Sequence, residues 1–337
     1  MNIVSQKKSL SGHITVPGSK SHTIRALLLA TLADGVSHIS NPLPSADCLS
    51  TGKAVPLMGA TVEFGPKVWT VTGAGKNIHL PTNVVDVGNS GSLLYFLSPI
   101  AATFDGWSVF TGDESIRKRP VYHVVDVLNQ MGAFASTAVP GSKTCPMIIK
   151  GPVKEGVTVK TEGSVSSQYI TGLMMAAIRM ENGLKIELTD PKETPYLTMT
   201  QKWLEKVGVE STISKDFKHI EVKGKSSLQA FDCTVPSDWE GVAFPLIAAL
   251  LTDSEIIIDN VDGSGTQGDE EIVKVLQSIG GDIELDMKAL ADICDTIESL
   301  AVLTVEMYGH DITLRSHRLH DESLRPRQVA YDAVLLA

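Results

Sequence analysis

Small polar turns ahead of apolar stretches carry the residues best suited to chemistry. The first is the segment PGSKS at positions 17–21, which lies between a predicted strand and a predicted helix that includes Arg25. The first N–H groups of a helix lack partners within the helix and carry positive partial charge, so such a turn suits an anion. Lys20 adds a full charge, and a Walker A loop is excluded because it would need glycines in place of Ile14 and Ser19. The turn predicts either a phosphate- or carboxylate-binding site or an ordinary capped turn.

Two further turns repeat this arrangement. The segment GNSGS at 88–92 opens the next such helix, and GSVSSQ at 163–168 opens a third. Simple N-capping requires one serine, so the surplus hydroxyl and amide groups of the third turn favour a ligand. Between them, RKRP at 117–120 places three cations together in a chain whose formal net charge is −10. Guanidinium groups pair bidentately with phosphate and carboxylate, so this cluster is either part of an anion site or a solvated basic turn.

Two later segments need separate interpretation. A G-x-G-x-x-G pattern at 263–268 follows a predicted strand, as the glycine-rich turn of a dinucleotide-binding fold does. We reject that interpretation because Asp269 and Glu270 would lie where the pyrophosphate binds, and we expect a loop leading into a helix. Asp295 begins an apolar helix as an N-cap residue would. Its place at the start of a repeated helix, equivalent to Ser21, Gly91 and Ser166, makes Asp295 a candidate site carboxylate.

A repeat of about 73 residues positions these turns. Amphipathic helices end at glycines, each followed by a short alternating strand, and these glycines are Gly59, Gly132, Gly208 and Gly280. Glycine suits the left-handed position after a helix. A second helix series lies between them and starts near Ser21, Ser90, Ser166, Asp238 and Asp295. Each repeat reads strand, helix, strand, helix and one or two strands, which predicts an α/β (α+β) fold whose fifth repeat is incomplete.

Composition narrows the class of protein. With 337 residues, 43% hydrophobic and 20% charged, the chain suits two globular domains, and a polar stretch at 226–236 separates three repeats from two. The net negative charge disfavours a nucleic-acid partner. The N-terminal residues lack a signal-peptide pattern and no apolar stretch reaches membrane-spanning length, so we expect a cytoplasmic protein without a membrane partner. The four scattered cysteines argue against a zinc site or a disulfide framework.

Together these segments resemble the 5-enolpyruvylshikimate-3-phosphate synthases. The matching segments are P-G-S-K-S-x-x-x-R at 17–25, G-N-S-G at 88–91, R-P at 119–120, G-S-x-S-S-Q at 163–168, P-Y at 195–196 and Q-G-D at 267–269. The resemblance implies a two-domain enolpyruvyl transferase fold of six βαβαββ units, of which about four and a half are present. It implies a complete three-unit domain at 18–234, and an incomplete second domain formed by 1–17 with 235–337.

The resemblance also implies an activity and its residues. The reaction is transfer of enolpyruvyl from phosphoenolpyruvate to the 5-hydroxyl of shikimate 3-phosphate, with no metal and no organic cofactor. The residues that match contacts to shikimate 3-phosphate are Lys20, Ser21, Arg25, Ser166, Ser167, Gln168, Tyr196 and Asp295. Those that match the phosphoenolpyruvate side are Lys20, Asn89, Gly91, Arg119 and Gln168. Lys20 and Asp295 are the expected catalytic residues, and the family is monomeric.

The sequence departs from the family pattern at several places. Ser92 and the following LLYF replace T-x-x-R-P, and Glu193 and Thr194 stand where a serine contact to phosphate is common. The K-E-[ST]-D-R segment is absent and positions 317–325 only echo it, which leads to the hypothesis that the tail after about His317 is truncated or out of frame. An incomplete second domain would expose its core, so we expect the chain to associate with itself. An inactive remnant that binds shikimate 3-phosphate is therefore an alternative. A UDP-N-acetylglucosamine enolpyruvyl transferase is disfavoured because no cysteine occupies the matching loop.

Overall fold

The computed structural model describes residues 9–224, 227–252, 254–286 and 300–305. Asp295 and the residues after about His317 lie outside these described residues. The chain divides into two compact units, one formed by Gly18–Val235 and the other by Met1–Pro17 with Pro236–Ala337. No helix in the described part of the chain is long and apolar enough to cross a membrane.

Strands and helices alternate along the described chain. The strands are β1 (Ser11–Thr15), β2 (Ala33–Ser40), β3 (Thr61–Phe64), β4 (Val68–Ala74), β5 (Val85–Asp86), β6 (Gly106–Thr111), β7 (Phe134–Thr137), β8 (Met147–Gly151), β9 (Thr158–Glu162), β10 (Leu184–Thr189), β11 (Ser211–Ile213), β12 (His219–Val222), β13 (Leu228–Gln229), β14 (Cys233–Thr234), β15 (Glu255–Asp262), β16 (Ile283–Asp286) and β17 (Leu300–Val305). The α-helices are α1 (Lys20–Leu32), α2 (Ala46–Ala54), α3 (Gly91–Ala101), α4 (Tyr122–Gln130), α5 (Ser167–Ala176), α6 (Thr194–Lys206), α7 (Trp239–Thr252) and α8 (Ile272–Ser278). Short 3-10 helices span Val55–Met58, Gly75–Asn77, Ile116–Lys118, Ala177–Arg179 and Gly268–Glu271.

Three sheets build the unit Gly18–Val235. Their strand orders are β13-β2-β4-β3, with β14 also on β2, then β5-β6-β8-β7, and β11-β12-β10-β9. In each sheet the strand between the two helices of a repeat pairs in parallel with an edge strand, while its other neighbour is antiparallel. The second repeat runs β5, α3, β6, α4, β7, β8, and the third runs β9, α5, β10, α6, β11, β12. The predicted α/β fold of repeated βαβαββ units is confirmed.

Helix-ending glycines occupy the positions that the repeat predicts. Gly59, Gly132, Gly208 and Gly280 have φ angles of 99°, 83°, 72° and 96°. These are left-handed conformations that side chains with a Cβ atom rarely adopt. The strands β3, β7, β11 and β16 follow these glycines within a few residues, as predicted.

Apolar helices fill the core of the larger unit. Helix α1 is buried from His22 through Leu32, so it is surrounded by protein on all sides. Helix α3 packs against α5, and the backbones approach so closely that a Cβ on Gly172 would lie 2.1 Å from the carbonyl oxygen of Tyr95. A glycine at this crossing therefore sets the distance between the two helices.

The smaller unit contains one described sheet, with strand order β1-β15-β17-β16. Helix α7 packs on β15 through Trp239, whose Nε1 donates a hydrogen bond of 2.7 Å to the carbonyl oxygen of Asp262. Gln267 is 3% exposed and holds the start of the helix, because its side chain accepts from Trp239 N and donates to Ser237 O. The predicted loop at 263–268 does lead into a helix, first a 3-10 turn and then α8.

Candidate anion-binding site in residues 18–235

The start of α1 leaves its backbone donors without a side-chain cap. Ser19 is the N-cap residue, and its hydroxyl makes no capping hydrogen bond. Gly18 precedes it, and a Cβ there would lie 2.1 Å from the carbonyl oxygen of Asn41, so only glycine fits this close approach. Lys20 and Ser21 form the first turn and are half-buried. The predicted helix start near Ser21 is thus confirmed to within one residue.

Arg25 connects this turn to two other helices. Its Nε donates to Thr200 Oγ1 at 3.0 Å, and one terminal nitrogen donates to the carbonyl oxygen of Ser21 at 3.0 Å. The other terminal nitrogen donates to Thr171 Oγ1 and to the carbonyl oxygen of Tyr196, each at 3.2 Å. The guanidinium group therefore fixes α1, α5 and α6 against one another.

The charge of Arg25 has no counter-ion among the described residues. Its side chain is 2% exposed, and its hydrogen-bond partners are hydroxyl and carbonyl oxygens. Phe96 lies beneath the guanidinium, with its ring centroid 5.0 Å away. Burial lowers the pKa of Arg25 to about 9, which still leaves the group charged at neutral pH. A buried cation that lacks an anionic partner favours binding of an anion at this place.

The start of α5 carries two acceptors. Ser166 is the N-cap, and its Oγ accepts from the backbone N–H of Gln168 at 3.1 Å. Ser167 donates both from its backbone nitrogen, at 2.9 Å, and from its Oγ, at 2.8 Å, to one carboxylate oxygen of Glu193. The side-chain oxygen of Gln168 is buried without a hydrogen-bond partner in the described residues. This helix start therefore retains one acceptor, the Gln168 side-chain oxygen, that a donor of a ligand can satisfy.

A second group of candidates surrounds the start of α3. Ser90 caps this helix by accepting from Leu93 N at 3.1 Å, which is ordinary N-capping. The exposed Asn89 donates to a carboxylate oxygen of Asp113 at 2.6 Å. This hydrogen bond, followed by one from Ile116 N, lowers the pKa of Asp113. Asp113 thereby positions Asn89 and also the turn that leads to Arg119.

Some candidates come together through direct contacts and others do not. Ser21, Arg25 and Tyr196 form one hydrogen-bonded group. Helix α5 packs against α6, and the N-cap residue of α6, Glu193, binds the start of α5. Gly91 lies beside the guanidinium of Arg119, whose nitrogen would be 2.7 Å from a Cβ at position 91. Asp295 lies outside the described residues.

The sequence interpretation missed Thr171, Thr200 and Asp113 of this site, and it noted position 193 only as a departure from the family pattern. Thr171 and Thr200 hold Arg25, Glu193 binds the start of α5, and Asp113 holds Asn89. A signal for the two threonines exists, since each hydroxyl stands one helical turn after a candidate residue, Thr171 after Ser167 and Thr200 after Tyr196. The partners of Glu193 and Asp113 lie 26 and 24 residues away, so no local spacing indicates them.

The Q-G-D segment lies in the smaller unit. Its glutamine, Gln267, hydrogen-bonds the backbone of Trp239 and Ser237 at the start of α7, which is a structural role. Burial, and then the negative charges of Glu240 and Asp238, raise the pKa of Asp269 to about 6.

Repeated α/β units that present serine, lysine, arginine and glutamine at helix starts have the features of a protein that binds small anions. Comparison with known families agrees with this class. Residues 4–312 match the family model described as EPSP synthase (3-phosphoshikimate 1-carboxyvinyltransferase). The chain belongs to this family.

Relatives and solved structures support the assignment. A 3-phosphoshikimate 1-carboxyvinyltransferase of Ruminiclostridium cellulolyticum is 37% identical over 281 residues, which is 83% of this chain and 66% of the relative. Another, from Methanococcus maripaludis strain C5, is 37% identical over 290 residues, covering 85% and 67%. EPSP synthase from Acinetobacter baumannii superposes with a TM-score of 0.78 at 26% identity, over 90% of this chain and 66% of that one. The chain thus spans about two thirds of the length of the proteins it matches.

Proposed function

We propose that the protein transfers the enolpyruvyl group of phosphoenolpyruvate to the 5-hydroxyl of shikimate 3-phosphate. The observation that carries the proposal is Arg25, a buried cation without a counter-ion in the described residues. A phosphorylated ligand supplies the missing negative charge and accepts charge-assisted hydrogen bonds. Family membership favours this activity over the binding-only remnant and over the UDP-N-acetylglucosamine reaction.

The proposed reaction is an addition followed by an elimination. The 5-hydroxyl oxygen forms a bond to C2 of phosphoenolpyruvate while its methylene carbon gains a proton. The new methyl group then loses a proton, the bond from C2 to the phosphate oxygen breaks, and inorganic phosphate leaves as the carbon–carbon double bond is restored. The chemistry needs a base for the hydroxyl, an acid for the methylene carbon, and cations for the phosphates and carboxylates.

The proposal divides the candidate residues between the two substrates. The residues assigned to shikimate 3-phosphate are Lys20, Ser21, Arg25, Ser166, Ser167, Gln168, Tyr196 and Asp295. Those assigned to phosphoenolpyruvate are Lys20, Asn89, Gly91, Arg119 and Gln168. Lys20 contacts both substrates in this scheme and moves protons, and Asp295 accepts the proton of the 5-hydroxyl. The two compact units are proposed to be the two domains of the family fold, and the reaction is placed in the cytoplasm, as the sequence predicts.

Thermal unfolding with each substrate tests the proposal. Shikimate 3-phosphate should raise the unfolding temperature, since a ligand at one hundred times its Kd stabilises the native state by about 2.7 kcal/mol. Shikimate, which lacks the phosphate, should give a smaller shift. Addition of phosphoenolpyruvate should then release inorganic phosphate. A shift without phosphate release would contradict the transferase activity, and no shift would contradict the binding of shikimate 3-phosphate as well.

A further inference from the structure

Glu193 connects two helix starts at the candidate site. Its backbone is the N-cap of α6 and accepts from Tyr196 N at 3.2 Å, while its carboxylate accepts both hydrogen bonds that Ser167 donates at the start of α5. Its φ angle is +50°, a conformation that non-glycine residues rarely adopt. The contacts of Glu193 with both helices hold its backbone in this conformation.

The second acceptor at α5 is not needed to cap the helix. Ser166 already serves as N-cap by accepting from Gln168 N. The carboxylate of Glu193 is an additional negative charge on the donors of Ser167, which is 1% exposed. The proposed function assigns Ser167 to shikimate 3-phosphate, and donors at a helix start suit the phosphate group of that ligand. Glu193 is exposed, so its carboxylate can leave by rotation of its own side chain.

We infer that Glu193 occupies the phosphate position of the site in the unliganded protein and is a specificity-determining residue that the phosphate group must displace. The inference rests on the proposed function. A carboxylate and a phosphate cannot accept from the same two donors, and their negative charges repel each other. Displacement costs two charge-assisted hydrogen bonds, so Glu193 weakens the binding of phosphorylated ligands. A ligand without phosphate leaves the carboxylate in place and loses no affinity.

Two substitutions separate the effect of the Glu193 charge from the effect of its side-chain length. Glu193→Gln keeps the length of the side chain and one acceptor oxygen but removes the charge. Glu193→Ser removes the reach toward Ser167 as well. Glu205→Gln is the matched control, because Glu205 is exposed at the other end of α6.

Calorimetric titration of the full chain with shikimate 3-phosphate and with shikimate gives the test. Both Glu193 variants should bind shikimate 3-phosphate about tenfold more tightly than the parent protein, since the loss of one capping interaction is of that size. Their affinity for shikimate should stay within about twofold of the parent. Without ligand the variants should unfold at a lower temperature than the parent, and with saturating shikimate 3-phosphate the difference should shrink or reverse.

Each remaining outcome is decisive. Unchanged or weaker binding of shikimate 3-phosphate in both variants overturns the inference and leaves the proposed function intact. An equal gain for shikimate also overturns it, because the effect would then not depend on the phosphate. Absence of shikimate 3-phosphate binding in every protein, the parent and the control included, overturns the proposed function and the inference with it.

Discussion

The guanidinium of Arg119 lies against the Cα atom of Gly91, where a Cβ would come within 2.7 Å of the nearer terminal nitrogen. The absence of a side chain at the start of α3 therefore gives the cation its position. This relationship ties a backbone requirement to the proposed phosphoenolpyruvate side of the site.

We predict that Gly91→Ala keeps the fold and weakens the binding of phosphoenolpyruvate. Alanine in a helix is favoured over glycine by up to about 1 kcal/mol, so stability should not fall. The added methyl group displaces the Arg119 guanidinium, and KM for phosphoenolpyruvate should rise about tenfold. Steady-state kinetics with Ser92→Ala as control tests this, and an unchanged KM in Gly91→Ala would contradict it.

Arg25→Met should abolish the response to shikimate 3-phosphate. The variant loses the four hydrogen bonds that join α1, α5 and α6, so the unliganded protein should be less stable by about 1–3 kcal/mol. The thermal shift given by shikimate 3-phosphate should be lost, because the buried cation is gone. Arg25→Lys keeps a charge and should retain part of the shift. A full thermal shift in Arg25→Met would refute the prediction.

His123 should make the protein sensitive to acid. Both ring nitrogens are buried without hydrogen-bond partners in the described residues, and the ring lies among Tyr95, Tyr122 and Tyr169. Burial lowers its pKa from 6.5 to about 4. The unfolded chain takes up the proton at a higher pH than the folded protein, so this residue costs stability as the pH falls from 6.5 to 4.

His123→Phe removes that cost. The variant should gain about 1–2 kcal/mol in the free energy of unfolding at pH 7, because two unsatisfied polar atoms are removed. The gain should be larger at pH 5. Urea unfolding at the two pH values measures it, with the exposed His13 replaced by Gln as control. An equal gain at both pH values would show that His123 does not titrate as its burial requires.

Gly172→Ala should be strongly destabilising. Its Cβ would lie 2.1 Å from a backbone oxygen of Tyr95, so α3 and α5 would have to separate. We expect a loss of about 3 kcal/mol, as for a severely overpacked core. Gly52→Ala is the matched comparison in another helix, where the nearest atom belongs to the ring of Phe64, at 2.5 Å. Side chains yield more readily than backbone, so the Gly52 variant should lose less, and the reverse order in urea unfolding would contradict this.

The repeat was predictable from the sequence, because helix ends and alternating strands are local features. Gly59 and Gly132 show this, since each carries the left-handed conformation that its helix end requires. The helix starts at Ser90 and Ser166 were found for the same reason, as each serine caps its own helix.

Contacts between distant segments were not predictable. Arg25 donates a hydrogen bond to Thr200, which is 175 residues away in the sequence, and no periodic pattern predicts such a pair. The carboxylate of Glu193 reaches Ser167 because a loop with positive φ turns it back, and a glutamate gives no signal for that conformation. The departure from the family pattern at position 193 was visible in the sequence, but the contact of its side chain with Ser167 was not.

The pairing of β1 with β15 constrains the order of events during synthesis. Residues 11–15 leave the ribosome first, yet their parallel partners are residues 255–259. At 5–20 residues per second the N-terminal strand waits on the order of tens of seconds, while the intervening unit is completed. All five of its residues are exposed in the finished sheet, and their sequence, SGHIT, contains a single large apolar side chain. A nascent segment with so little apolar surface can wait beside the growing chain without recruiting neighbouring polypeptides.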